Sequence, residues 1–210
     1  MIPDLHSFSL LCTMEKTTLI FATNNHNKIE EIQQVVGDKF TIITLQQAGI
    51  DIDIPEPYDS FEENAFAKSS TIHKITGKNC FSEDTGLEVE ALNGLPGVKS
   101  ARYAGEEKNF AANNRLLLQN LEGVENREAR FRTVISLIYN GKNYYFEGIC
   151  KGRIAHQPAG SNGFGYDPVF IPDGSGKTFA EMDLFEKNRF SHRKKATAKL
   201  MEFLNNNLNG

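Results

Sequence analysis

The 210-residue sequence has no tryptophan, only three cysteines and no surplus of positive charge, and each absence excludes something. Cys12, Cys80 and Cys150 are odd in number, form no CxxC pair and have no histidine at zinc spacing. Neither a disulfide scaffold nor a zinc site is therefore expected, and a reducing compartment follows, with the cytoplasm as the default. Lys and Arg number 23 against 27 Asp and Glu, a net charge of −4, so the positive field that drives general nucleic-acid coating is missing. No apolar run approaches the ~20 residues of a membrane span. The stretch from Phe8 to Cys12 is short and has no basic residue before it, which also argues against a signal segment. Repeats, low-complexity linkers and charge blocks are absent, so one domain is expected over residues 17–210. Residues 1–16 read as a disordered leader, with Met14 as an alternative natural start that mass spectrometry of the native protein would decide.

What is present is an ordinary globular composition, 40% hydrophobic with 15 Phe and 6 Tyr. Thr17 to Ala22 is a β-branched, apolar run of the buried-strand type. A polar knot, Thr23 to Lys28, follows, and then Ile29, Ile32, Val35 and Val36 at helical spacing, closed by Gly37. Phe40 to Leu45 reads as a second strand. An acidic connection, Asp51 to Asp59, leads to Ser60 as N-cap of a helix from Phe61 to about Thr76, whose stripe carries Phe61, Ala65, Lys68, Ile72 and Ile75. Cys80 to Ser82 reads as a strand ending at Glu83-Asp84-Thr85-Gly86, with Leu87 to Leu92 extended beyond. Glu107 to Leu121 has helical period. Ala129–Tyr139 and Tyr144–Ile154 read as two strands joined by Asn140-Gly141, the strongest short hairpin signal. Pro158 to Pro168 is Gly-rich and irregular, and a last helix is expected from about Arg193 to Asn206. The coarse reading is α/β with a mixed sheet.

Four polar clusters could carry chemistry. Thr23, Asn24, Asn25, His26, Asn27 and Lys28 sit at a strand-loop-helix junction, where backbone N–H groups and the helix dipole favour an anion; the alternative is that Thr and Asn merely cap the helix. Glu83 and Asp84, beside Gly86, suit a hard cation such as Mg²⁺, with Glu56 and Glu63 in reach, although an acidic pair at a turn is often only solvated surface. Lys68 interrupts an apolar stripe, so either its stem snorkels or its ammonium meets a buried anion. In the Gly-rich segment, Phe164 is free to present a ring face to a base or to tuck into the core. Lys187 with Ser191-His192-Arg193 puts cations at a helix N-terminus, which prefers acids, and this conflict suggests a bound anion or base edge.

Taken together, TNNHNK (23–28), FEENAFAK (61–68), EDTGLEVEALNGLPGVKSARYAG (83–105), GFGYDP (163–168) and EKNRFSHR (186–193) closely resemble the inosine/xanthosine triphosphate pyrophosphatase family. The resemblance runs from about residue 17 to 206. It implies an elongated, bent mixed sheet flanked by helices that form two lobes with a nucleotide cleft between them. The activity it implies is Mg²⁺-dependent hydrolysis of ITP, dITP and XTP to the monophosphate and pyrophosphate, by a homodimer with no nucleic-acid or membrane partner. Carried over by position, Thr23 to Lys28 and Lys68 would hold the triphosphate. Asp84 would be the general base and a metal ligand, with Glu83 and Glu56 as further metal carboxylates. Thr85 would lie on the substrate side, Phe164, Gly165, Tyr166 and Asp167 would clamp the base, and Lys187, His192 and Arg193 would complete the pocket. His192 and Arg193 suit donation to a 6-oxo group. The usual bacterial Asp-Asp-Ser-Gly is Glu83-Asp84-Thr85-Gly86 here, which keeps the charge and the hydroxyl. A modified-pyrimidine preference is the rival within the same chemistry, disfavoured by His192-Arg193. A binding module without turnover is the rival outside it, and it would gain little from acids facing an anion.

Overall fold

A computed structural model describes residues 16–37 and 39–207; the leader expected over the first sixteen residues lies, but for Lys16, outside them. Six strands form one mixed sheet in the order β2-β1-β3-β4-β5-β6. They are β1 (Thr17–Phe21), β2 (Phe40–Thr44), β3 (Cys80–Val89), β4 (Glu128–Tyr139), β5 (Lys142–Ile154) and β6 (Phe170–Pro172). β1 runs parallel to β2 and β3, and the pairs from β3 to β6 are antiparallel. The helices are α1 (His26–Gln33), α2 (Phe61–Thr76), α3 (Phe110–Asn120), α4 (Leu184–Lys187) and α5 (His192–Asn207).

Local chemistry accounts for several boundaries. Ser60 caps α2 by accepting the Glu63 N–H, and Gly77 ends it in the left-handed conformation that glycine adopts without penalty. Asn140 and Gly141 both have positive φ, as a two-residue type I′ turn demands, and they lock the β4–β5 register from Tyr139↔Lys142 to Glu128↔Arg153. Short elements escaped the sequence reading: β6, α4 and three 3₁₀ turns have too few residues to show a period. The stripe of α2 also ends sooner than expected, since Ile75 is 56% exposed.

The expected break at Glu83–Gly86 is absent. β3 continues through it to Val89, because all ten of its residues pair with β4, from Cys80↔Ile138 to Val89↔Ala129. Gly86 serves close packing instead of a turn: a Cβ there would stand 2.2 Å from the Gly97 carbonyl oxygen and 2.8 Å from the Phe61 ring. Strand alternation then splits the acidic pair between the two faces of the sheet. Ser82 bonds the Ala65 carbonyl of α2 and Asp84 faces Lys68 on the same helix, while Glu83 faces Arg193 of α5.

The core divides along the long strands. Leu87, Val89, Phe131, Cys150 and Ile154 at one end of β3–β5 pack with Leu117 of α3, Phe170 and Phe179. At the other end Phe81, Ile135 and Leu137 pack with Ile32 of α1 and Leu200 and Leu204 of α5, while Cys80 and Ile138 pack with Ile72 of α2 on the opposite face. The polar stretch Ser82–Thr85 lies between these clusters, all of it buried or half-buried. β1 pairs with β3 only at Cys80 and Phe81, so the edge of β3 beyond Phe81 has no β1 partner and the carboxyl end of β1 opens beside it. Ligands of α/β sheets bind at such strand ends.

α5 approaches the sheet at Gly148 of β5, where a Cβ would meet the His192 carbonyl oxygen at 2.0 Å and the Ala196 nitrogen at 2.5 Å. Backbone cannot yield as a side chain does. Gly148→Ala should therefore cost about 1–3 kcal/mol, lowering the melting temperature by about 2–4 °C per kcal/mol in a chain of this size. Thermal unfolding followed by circular dichroism checks it, and an unchanged midpoint would refute the close approach.

Candidate active site

A cleft of about 430 Å³ opens between the carboxyl end of β1 and the free edge of β3. Its lining includes Thr23, Asn24, Asn25, Lys28, Glu56, Lys68, Glu83, Asp84, Thr85, Phe164, Gly165, Tyr166, Asp167, Lys187, His192 and Arg193. Residues more than a hundred positions apart thus converge on one space. His26 and Asn27 are the exceptions: they are exposed first-turn residues of α1 and do not line the cleft.

The junction between β1 and α1 serves capping and the cleft together. Thr23 Oγ1 accepts the Asn25 N–H, and Asn25 Oδ1 accepts the Asn27 and Lys28 N–H groups. Lys28, at the start of α1, reaches Glu83 at 3.1 Å. On the other face of β3, Lys68 answers its two readings by burial: its ammonium bonds Glu56 and lies 3.7 Å from Asp84 Oδ1.

The basic start of α5 also finds its counter-charges inside the chain. Arg193 grips Glu83 with two parallel bonds, Nε to Oε2 at 2.8 Å and Nη2 to Oε1 at 2.9 Å, and its Nη1 bonds Glu31 of α1. Lys187 joins Glu31 at 2.8 Å to Asp167 at 2.7 Å. Glu31 escaped the sequence reading, since an acid next to Ile32 on an amphipathic helix gives no local sign that it is buried. Arg102, Lys108 and Phe110 also line the cleft and were not singled out.

The two neighbouring carboxyls of β3 are tuned in opposite directions. Burial raises Glu83, but Arg193 and Lys28 outweigh it and hold that carboxyl far below the usual range. Burial raises Asp84 too, and Glu56 adds to the shift while Lys68 and Lys28 oppose it, so it stays above its ordinary value. Asp84 Oδ2 is buried with no hydrogen-bond partner, while Glu83 has both oxygens taken by cations. Glu83, expected among the metal carboxylates, is thus paired with Arg193 and Lys28 in the structure. Thr85 bonds Thr133 at 2.8 Å across the β3–β4 pair.

In the Gly-rich segment, Asp167 Oδ2 accepts the Phe164 N–H at 2.9 Å and so holds the loop closed. The ring of Phe164 is half-buried, with the Lys187 ammonium 5.2 Å and the Arg193 guanidinium 5.7 Å from its centroid. Tyr166 is a core residue whose hydroxyl donates to the Ser100 carbonyl, so it offers the cleft a wall and no free donor. His192 stacks on Phe131, with ring centroids 4.7 Å apart. Burial, reinforced by Arg193, pushes its imidazole well below the ordinary value and keeps it neutral, and its Nδ1 has no partner.

Among the described residues, no three His, Cys, Asp or Glu side chains are grouped to enclose a metal by themselves. Glu56 and Asp84 instead share one positive charge, the ammonium of Lys68, which marks the spot between them as favourable for a cation. Magnesium needs only one or two protein carboxylates when phosphates and water supply the rest.

Glu31 offers a direct test of the buried network. Burial raises its carboxyl, but Arg193 and Lys187 prevail and hold it at about 2, against 4.5 when free. The stability it contributes is therefore present above pH 4.5 and lost as pH falls toward about 2. Glu31→Gln should cost about 3–5 kcal/mol at neutral pH by leaving buried cations uncompensated, and it should flatten this part of the acid limb. Urea unfolding from pH 7 downward reads both; an acid limb identical to the parent's would sink the assignment.

The Ham1 family model matches residues 19–203. The dITP/XTP pyrophosphatase of Porphyromonas gingivalis is 52% identical over 192 residues, covering 91% of this chain and 98% of that protein. The one from Flavobacterium johnsoniae is 50% identical over 186 residues, covering 89% and 97%. Among solved structures, the Staphylococcus aureus Ham1 protein superposes with a TM-score of 0.83 at 38% identity, over 91% of this chain and all of that one. A family match that spans nearly all the described residues, joined to relatives half identical along almost their full length, settles the kinship: the chain belongs to the Ham1 family.

Proposed function

We propose that the protein hydrolyses non-standard purine nucleoside triphosphates, ITP, dITP and XTP, to the monophosphate and pyrophosphate. The observation that carries this reading is the opposite tuning of Glu83 and Asp84 at the free edge of β3, inside a cleft that Lys28, Lys68 and the Phe164 ring also line. Two relatives of high identity carry the name dITP/XTP pyrophosphatase, which supports the same substrates.

In the proposed reaction Asp84 is the base. Its unpartnered Oδ2 accepts a proton from water as the oxygen bonds the α-phosphorus and the α–β anhydride breaks, so pyrophosphate leaves. Lys28 and Lys68 are placed to draw the triphosphate in, and the N-terminus of α1 adds its dipole. Glu83 keeps Lys28 and Arg193 in position and stays ionised throughout. Asp84 and Glu56 would hold Mg²⁺, which when bound supplies charge neutralisation on the phosphates. In the same cleft Phe164 offers a ring for stacking, and neutral His192 and Arg193 would read a 6-oxo group. A 6-amino group facing those donors would leave them unpaired, a loss of roughly 1–3 kcal/mol for each buried donor. The resemblance further implies a homodimer in the cytoplasm; no helix among the described residues is long and apolar enough to cross a membrane.

Pyrophosphate release with Mg²⁺ tests the reading on ITP, dITP, XTP, ATP, GTP and CTP at equal concentration, with the product identified by chromatography. ITP and XTP should exceed ATP at least roughly a hundredfold, the discrimination that one or two buried hydrogen bonds supply. A nucleoside diphosphate product would place the attack at the wrong phosphorus. Asp84→Asn should abolish turnover while nucleotide affinity stays within about tenfold. Near-normal kcat in that variant would remove Asp84 from its role.

A further inference from the structure

Phe110 begins α3 with its ring 39% exposed, whereas Phe21, Phe61, Phe81, Phe131 and Phe179 are buried. Its side chain is therefore not spent on the core. It lines the cleft on the side of Phe164, with the two ring centroids 6.2 Å apart and the planes inclined at 49°. The two rings are in tilted contact and together present one bent apolar wall to the cleft.

The backbone under Phe110 is tied to the surrounding walls. Asn109 caps α3 by accepting the Ala112 N–H at 2.9 Å. Asn113 accepts the Ala104 N–H and donates to the Ser100 and Ala101 carbonyls, fixing the helix start to the segment below the cleft. Asn114 donates to the Gly165 carbonyl at 2.9 Å, fixing the same helix to the loop that carries Phe164. The distance between the two rings is thus set by hydrogen bonds of buried amides. Phe164 has cations near its ring, Lys187 and Arg193, whereas Phe110 brings only apolar surface.

We propose that Phe110 is a base-binding residue of this cleft, forming with Phe164 the apolar wall against which a flat heteroaromatic base packs, and contributing to binding of the base but not of the phosphates. The proposal rests on the purine nucleotide reading above. It concerns a residue that the five sequence motifs do not include, and it assigns a substrate contact to α3.

Calorimetry with two ligands, IMP and inorganic tripolyphosphate in the presence of Mg²⁺, separates base from phosphate. Phe110→Ala should weaken IMP binding roughly tenfold, the size of one base–aromatic stacking contact. Tripolyphosphate binding should stay within about twofold, and Phe110→Trp should restore IMP affinity. In turnover, KM for ITP should rise with kcat within about twofold. Unchanged IMP affinity, an equal loss for both ligands, or a wild-type protein that does not bind IMP would overturn the proposal. Wild-type protein that binds IMP but releases no pyrophosphate from ITP or XTP would overturn the pyrophosphatase reading alone, and the comparison of variants would still decide Phe110.

Discussion

The grip of Arg193 on Glu83 is the interaction on which the site's geometry depends. It joins the first turn of α5 to the middle of β3, with the guanidinium and the carboxylate almost wholly removed from water. Such a pair is costly to bury and tolerable only when further partners satisfy the remaining charge. Glu31 supplies a second carboxylate to Arg193, Lys187 connects Glu31 to Asp167, and Lys28 completes Glu83. Three cations and three carboxylates balance, drawn from α1, β3, the Gly-rich loop, α4 and α5. The pieces of the cleft are therefore held by charge, where the clusters at the two ends of the strands are held by apolar contact.

That balance explains why adjacent acids have different work. Alternation along β3 sends Glu83 toward α1 and α5 and Asp84 toward α2. On the first side two cations meet one carboxylate, so Glu83 stays ionised, with a cation on each oxygen. On the second side Lys68 is shared between Glu56 and Asp84, one positive charge between two negative ones. Burial first, with the charge of Glu56 adding to it, leaves Asp84 with a raised affinity for protons, its Oδ2 has no partner, and the spot is short of positive charge. Pairs of carboxyls pushed apart in this way mark the division between a structural and a reactive acid.

Much of this was legible where local chemistry decides conformation. Ser60 and the helix it caps, the Asn140-Gly141 hairpin and the junction after β1 follow from hydrogen bonds or φ values set by a few neighbouring residues. Nearly all of the residues that the resemblance named line the cleft, His26 and Asn27 apart, because the motifs are short and lie in order along the chain. What was misread depends on distant partners. Gly86 looked like a turn, yet the pressure of Phe61 and the Gly97 carbonyl explains the glycine, and pairing with β4 keeps the chain extended. Lys187 and Arg193 suggested a bound anion or base edge, and Glu31 and Glu83, more than a hundred residues earlier, supply internal counter-charges that no local pattern announces. Glu31 itself could not be read from α1, because its burial is stabilised only once α5 is packed.

On the proposed reading the cleft has two halves with different origins. The phosphate half is built from the β1–α1 junction and β3, where strand ends, a helix start and the paired strand leave little freedom to move a group. Its chemistry, neutralising a triphosphate and removing a proton, needs the same geometry whatever the base. The base half is built from the loop before β6, the start of α3 and the start of α5, joined by amide bonds such as Asn114 to Gly165. Arg193 at the start of α5 ties this half back to Glu83, whereas the amide contacts of α3 touch neither Glu83 nor Asp84. On this reading α3 is therefore where the base half can change at least cost to the other.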